Sequence, residues 1–234
     1  MPYQPIENYG IVGNMRTVAL VGMNGSIDWL CFPHFDSPSV FAAILDDKKG
    51  GYFKIVPVDG RMTHKQFYWP ETNVLITRFL SQEGVGEITD YMPVSANGKE
   101  NGKHQLIRRV SVIRGAMSFR MECSPAFNYA RDTHEIDMTG NGACFRSATL
   151  SLILAAAVPV KKNGKAVTAD FNLREGGSAT FTLREIDSNN GCGAALSEGE
   201  SAELFDRTVD YWRGWISRCT YTGRWREMVH RSAL

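Results

Sequence analysis

The chain has 234 residues, 43% hydrophobic and 22% charged, with 26 basic against 25 acidic residues and a formal charge of +1. That length buries a sizeable core, as one large domain or two small ones. The near-neutral balance leaves no electrostatic footprint for DNA, RNA or an anionic membrane, so no nucleic acid and no membrane is expected as a partner.

The longest apolar stretch, residues 150–160, contains Ser151 and Pro159 and is too short to span a bilayer. Met1-Pro2-Tyr3-Gln4-Pro5 has neither the basic start nor the apolar run of a secretion signal. Cys31, Cys123, Cys144, Cys192 and Cys219 are odd in number and never in C-x-x-C spacing. That pattern argues against a disulfide framework or a zinc site and fits a reducing, cytoplasmic location, with no metal or cofactor expected.

In chain order, a first strand is predicted over residues 17–21, closed by an Asn24-Gly25 hairpin turn. Residues 24–38 then pack Trp29, Phe32, His34, Phe35, Asp28, Asp36, Pro33 and Pro38 into what reads as irregular backbone. Loops rarely carry such large apolar side chains unless they plug a core or line a surface for a ligand. Asp46-Asp47-Lys48-Lys49 reads as a charged turn. Further strands are predicted over 52–56, 73–80, 87–92, 105–113 and 143–155.

Strict alternation marks three more strands: Met117, Phe119, Met121 and Cys123; Val167, Ala169, Phe171 and Leu173; and Ala179, Phe181 and Leu183. Glu175-Gly176-Gly177-Ser178 reads as a hairpin loop between the last two. Turn signals at Asp59-Gly60, Glu83-Gly84, Asn97-Gly98, Asn101-Gly102, Asn141-Gly142 and Asn163-Gly164 separate the strands. With no long helical pattern between them, the fold class is mainly β, an antiparallel sandwich over residues 1–196.

Near Ser197 the period changes. Ser197-Glu198-Gly199-Glu200 has capping-box form, with Ser201 as a competing cap. Leu204, Phe205, Val209, Trp212, Ile216 and Cys219 follow at helical spacing, so residues 197–222 read as an amphipathic linker helix. Core packing is the expected role of Trp212 and Trp215. After Gly223, residues 223–234 begin a second helix without a stop signal, the expected start of a truncated helical domain.

Most catalytic signatures are absent: no G-x-S-x-G, no Walker loop, no dinucleotide fingerprint and no H-E-x-x-H. His134 and Glu135 lack a second histidine at ligand spacing and read as a solvated loop. Asp90 reads as a turn cap at a strand end. Asp28 and Asp36 are the best acidic candidates, because aromatic neighbours desolvate a carboxyl and raise its pKa, as a general acid requires. The stronger expectation for both is that they fix the loop by accepting backbone N–H bonds.

The runs Ile6-Glu7-Asn8-Tyr9-Gly10-Ile11-Val12-Gly13-Asn14, Arg16-Thr17-Val18-Ala19-Leu20-Val21, Gly25-Ser26-Ile27-Asp28-Trp29-Leu30-Cys31 and Phe35-Asp36-Ser37-Pro38-Ser39-Val40-Phe41 resemble the start of the glucoamylase- and trehalase-like proteins of glycoside hydrolase family 15. Thr72-Asn73-Val74-Leu75-Ile76-Thr77-Arg78-Phe79, Thr89-Asp90-Tyr91-Met92-Pro93 and Tyr221-Thr222-Gly223-Arg224-Trp225-Arg226-Glu227-Met228-Val229-His230-Arg231-Ser232 continue the resemblance in order.

The resemblance implies an antiparallel β-supersandwich, similar to the galactose mutarotase fold, joined by a helical linker to an α/α-barrel catalytic domain. It implies inverting hydrolysis by two glutamates, with carboxyls roughly 6.5–9.5 Å apart. No position here matches the family's acidic, Gly-rich, Trp-containing motif, so no catalytic residue is expected in this segment. Asn14 stands where the family more often has Asp, and His34 where Arg is common, a change that makes the contact weaker and pH-dependent.

The leading expectation is a non-catalytic N-terminal domain of an intracellular α-glucoside hydrolase, inactive alone. Its partners would be its own barrel and the parent's α-glucoside or trehalose substrate. Trp29, Phe32, His34, Phe35 and Asp36 are expected to face the barrel or its substrate, with Asp28, Pro33, Ser37 and Pro38 shaping the loop. The alternatives are a free-standing carbohydrate-binding module and, by fold analogy alone, an aldose epimerase-like enzyme. A second copy is a further expected partner, through apolar surface that the barrel would cover.

Overall fold

The structure is a computed structural model and describes residues 3–58, 61–94, 104–140, 142–186 and 196–234. The predicted turns Asp59-Gly60, Asn97-Gly98 and Asn101-Gly102, together with Asn141 and Cys192, lie outside the described residues. The chain is mainly β, built as two antiparallel sheets that share one long strand.

The first sheet begins with β1 (Tyr9–Gly13), β2 (Val18–Gly22), β3 (Ser26–Cys31) and β5 (Tyr52–Pro57), with the short β4 (Ser39–Phe41) paired to β3. The second begins with β6 (Thr63–Tyr68), β7 (Leu75–Leu80) and β8 (Gly84–Tyr91). Both meet on β9 (Gln105–Ser124), whose N-terminal half pairs with β8 and C-terminal half with β5. Residues 105–113 and 117–123, predicted as two strands, are thus one.

The chain bends from sheet to sheet at Ile113–Ala116, where four exposed residues interrupt the alternation. Gly115 permits the bend: its φ is +74°, and a Cβ there would collide with the Glu83 carbonyl. Beyond β9, β13 (Lys161–Asn163) and β14 (Ala166–Arg174) complete the first sheet. The second is completed by β15 (Ser178–Glu185), β12 (Ser151–Ala156), β11 (Gly142–Ser147) and β10 (His134–Thr139), in that spatial order.

The predicted hairpin at Glu175–Ser178 is therefore a crossover. β14 and β15 each pair with a different half of β9 and not with each other. The loop is docked on the bend by Glu175 N–H to Gly115 O (2.8 Å) and Gly176 N–H to Val112 O (2.9 Å).

The inner faces of both sheets pour into one core that includes Ile27, Phe53, Phe79, Ile88, Phe119, Phe145 and Phe181, all essentially inaccessible. Arg108 crosses this core. Its guanidinium, on β9, pairs with Asp90 on the neighbouring β8 (Nε–Oδ1 2.7 Å, Nη2–Oδ2 3.2 Å). It also donates to Gly25 O (2.9 Å) and to Phe53 O in the other sheet. Asp90 is thus a buried ion-pair partner rather than a turn cap. Burial pushes its carboxyl up, and the Arg108 charge acts against that.

The outer face of the second sheet is covered by the long helix Glu198–Ile216, entered through the expected capping box between Ser197 and Glu200. Val209 packs with Val74, Tyr91 and Ile107, and Tyr91 donates to Ser201 O (3.0 Å). Trp212 is buried as expected, whereas Trp215 is 38% exposed and its Nε1–H bonds Ala233 O (3.0 Å). The short helix Arg226–Ala233 folds back on the β6–β7 turn. Arg231 stacks 3.7 Å from the Tyr68 ring centre and donates to Thr72 O (2.8 Å).

Cys144 is disulfide-bonded, whereas Cys31, Cys123 and Cys219 are free. Among the described residues no helix is long and apolar enough to cross a membrane.

Candidate functional site

Residues 24–38 are more regular than predicted. Asn24-Gly25 forms the expected turn, with Asn24 Oδ1 accepting from Ser26 N–H (3.1 Å), and residues 26–31 then run as β3 in the middle of the first sheet. A bulge against β2, with Asp28 the extra residue between Ile27 and Trp29, breaks the strand's alternation. Only residues 32–38 are a loop. It is tied down by Phe35 N–H to Arg16 O (2.8 Å), His34 N–H to Ser37 Oγ (3.1 Å) and Ser37 N–H to His34 O (3.1 Å).

The loop splits its side chains between core and solvent. Phe32 is 1% exposed and belongs to the core, so it offers no face to a ligand, contrary to the expectation from sequence. Phe35 is 59% exposed, Asp36 and Pro38 are exposed, and Trp29, Pro33, His34 and Ser37 are half-buried. The His34 ring meets His104 edge-on at 5.1 Å.

Asp28 is buried and shapes its surroundings, though through hydroxyls rather than backbone amides. Ser26 Oγ donates to Oδ1 (2.5 Å) and Tyr9 OH to Oδ2 (2.7 Å). Burial and then Asp28 itself drive the Tyr9 hydroxyl pKa well above its ordinary value. A carboxylate accepting two such bonds is a strut, not a free acid. Asn14 is likewise structural: its Oδ1 accepts from Arg16 N–H and Thr17 N–H, both at 3.1 Å, closing the β1–β2 turn.

Sequence reasoning missed the residues that complete this surface. The Trp29 ring lies 6.3 Å from that of Tyr129, which is 42% exposed and carries the Arg131 guanidinium 5.8 Å from its centre. Tyr129 also bonds Cys31, whose thiol burial pushes up. Asn128, Tyr129 and Ala130 have φ of 52°, 57° and 62°, a left-handed turn without a glycine. Its cost is offset by Tyr129 N–H to Ser39 Oγ (3.1 Å), Ala130 N–H to Ala126 O (3.1 Å) and Asn128 Nδ2 to Asp132 (3.0 Å).

His134, expected in a solvated loop, opens β10 with its ring between Phe127 and Phe145 and its Nε2 3.1 Å from Lys165 O. Burial lowers its pKa, and Lys165 and Lys162 lower it further against the bond to the Lys165 carbonyl. The unfolded chain therefore binds this proton more readily than the folded one. Stability is full above the ordinary histidine pKa, about 6.5, and falls as pH drops below it. Urea midpoints at pH 7.5 and 5.5 check this: His134→Gln will narrow the loss seen in the unmodified chain.

Among the described residues no cluster of three His, Cys, Asp or Glu side chains is placed to hold a metal. The arrangement offers stacking rings and peripheral hydrogen bonds.

Known proteins share this framework. A family model described as trehalase-like, N-terminal matches residues 2–182, from the first strands into β15. A trehalase from Thermoplasma volcanium is 33% identical over 238 residues, covering 99% of this chain and 37% of its own length. One from Thermoplasma acidophilum is 36% identical over 221 residues, 92% of this chain and 37% of that protein. One from Mycolicibacterium smegmatis is 28% identical over 256 residues, 100% of this chain and 38% of that protein. The chain thus spans little more than a third of the length of these relatives. With a family match running through both sheets and relatives above 30% identity along nearly the whole chain, this protein belongs to the trehalase-like N-terminal domain family.

Proposed function

We propose that this chain is the non-catalytic N-terminal domain of a trehalase-type α-glucoside hydrolase of glycoside hydrolase family 15. The observation that carries it is one of coverage: trehalases match nearly the whole chain while it accounts for only 37% of their length. The inverting glutamate pair, with carboxyls roughly 6.5–9.5 Å apart, then belongs to an α/α-barrel supplied by the remainder. In this reading the two sheets are the family's supersandwich, and the long helix is the linker.

The barrel or its substrate meets the surface formed by Trp29, His34, Phe35 and Asp36, joined by Tyr129. Two features support that placement. Phe35 is too exposed to serve the core, and the neighbouring backbone is held in a strained conformation that places Tyr129 beside Trp29. His34 would give a weaker and more pH-dependent contact than an arginine.

The purified chain will release no glucose from trehalose or maltose. Co-expression with the remaining two-thirds of the Thermoplasma acidophilum trehalase will restore hydrolysis above the level of that remainder alone. Hydrolysis by the chain on its own overturns the proposal, as does a remainder that is equally active without it.

A further inference from the structure

A second concave surface lies beside the left-handed turn, with Ala130 in its lining. It encloses about 320 Å³ where the paired ends of β5 and β9 meet the start of β10 and the β13–β14 turn. That is the lower end of the size range of small-molecule sites, roughly 300–1,000 Å³. Gly51, Ala126 and Ala130 line it with almost no side chain, which leaves the hollow open.

Its polar lining carries both signs of charge in near balance: Lys48, Lys49 and Lys165 against Asp47 and Asp132. Asp132 is already oriented, accepting from Asn128 Nδ2 (3.0 Å) and Thr149 Oγ1 (3.3 Å). Tyr52 adds an aromatic wall, with its hydroxyl bonded to Glu122. An anion entering here meets two carboxylates, and an apolar ligand strips water from five charges without return. A neutral polyhydroxylated ligand does neither. Its hydroxyls donate to the carboxylates and accept from the ammonium groups, forming charge-assisted bonds on both counts.

The backbone beside the hollow is strained. Three successive non-glycine residues in the left-handed region carry a conformational cost and persist only where surrounding structure over-determines them. The turn Asn128–Ala130 ends on the residue that lines the hollow, and Asp132 holds it through Asn128. We propose that this cleft is a binding site for a small neutral saccharide, separate from the surface around Trp29 and Phe35. It does not rest on the hydrolase reading, because binding here needs nothing outside this chain.

The test is a 1H–15N NMR titration of the chain with trehalose, glucose and glucose 6-phosphate into the millimolar range. Trehalose and glucose are expected to shift the amides of Gly51, Ala126, Ala130 and His134. The double variant Lys49→Ala/Lys165→Ala removes two exposed side chains without touching the core, and is expected to weaken binding about tenfold with an unchanged melting temperature. Shifts confined to residues 29–36, binding of glucose 6-phosphate alone, equal affinity in the double variant, or no shift with any sugar each overturn the proposal.

Discussion

Asp90→Ala will lower the stability of the chain by roughly 3–5 kcal/mol, the usual cost of stranding one partner of a buried ion pair. Both side chains are fully inaccessible. Without the carboxylate, the Arg108 guanidinium keeps the Gly25 and Phe53 carbonyls and the Phe53 ring, but loses its bidentate counter-charge. Because a domain's stability is about 5–15 kcal/mol, one substitution here removes a large part of it. Replacing both partners, as Asp90→Leu with Arg108→Met, will recover part of the loss. Recovery stays partial because Arg108 also ties the two sheets together. Urea unfolding monitored by circular dichroism checks the order; a loss under about 1 kcal/mol for Asp90→Ala would mean that water reaches the pair.

The second large effect separates two phenylalanines three residues apart. Phe32→Ala will cost roughly 3–5 kcal/mol, because it empties a fully buried site. Phe35→Ala will stay within about 0.5 kcal/mol, since its ring is already in water. In the hydrolase reading the ranking reverses for function: Phe35→Ala impairs the assembled enzyme although the isolated domain is unaffected. Denaturation of both variants, with activity of the reconstituted protein, reads the two roles separately.

The sequence made strands legible where apolar and polar residues alternate. The alternations at 117–123, 167–173 and 179–183 fall inside β9, β14 and β15. It failed where something other than alternation governs. β3 bulges at Asp28 against β2 and buries that residue with a hydroxyl on each carboxylate oxygen. β10 is an edge strand with largely exposed residues.

The Glu175–Ser178 turn signal reads as a reversal, but β14 and β15 both run antiparallel to β9, so the chain continues along β9 from one sheet into the other. The pairing of Asp90 with Arg108 follows strand register, which no spacing rule reports. The site was half legible: Trp29, Phe35 and Asp36 stood out by type, and Asn24-Gly25 by turn chemistry. Tyr129 did not, because Asn128-Tyr129-Ala130 holds its left-handed form through distant partners such as Ser39 and lacks the glycine that would announce it.

The placement of β15 has a consequence for how the protein is made. It lies between β9 and β12, so β10, β11 and β12 reach the rest of their sheet through this strand alone. During synthesis those three strands emerge before their only bridge exists, while β9 waits with an unpaired edge in each sheet. Residues 178–185 therefore act as a keystone: once they emerge, they join β12 to β9 and so tie β10, β11 and β12 to the rest of the structure.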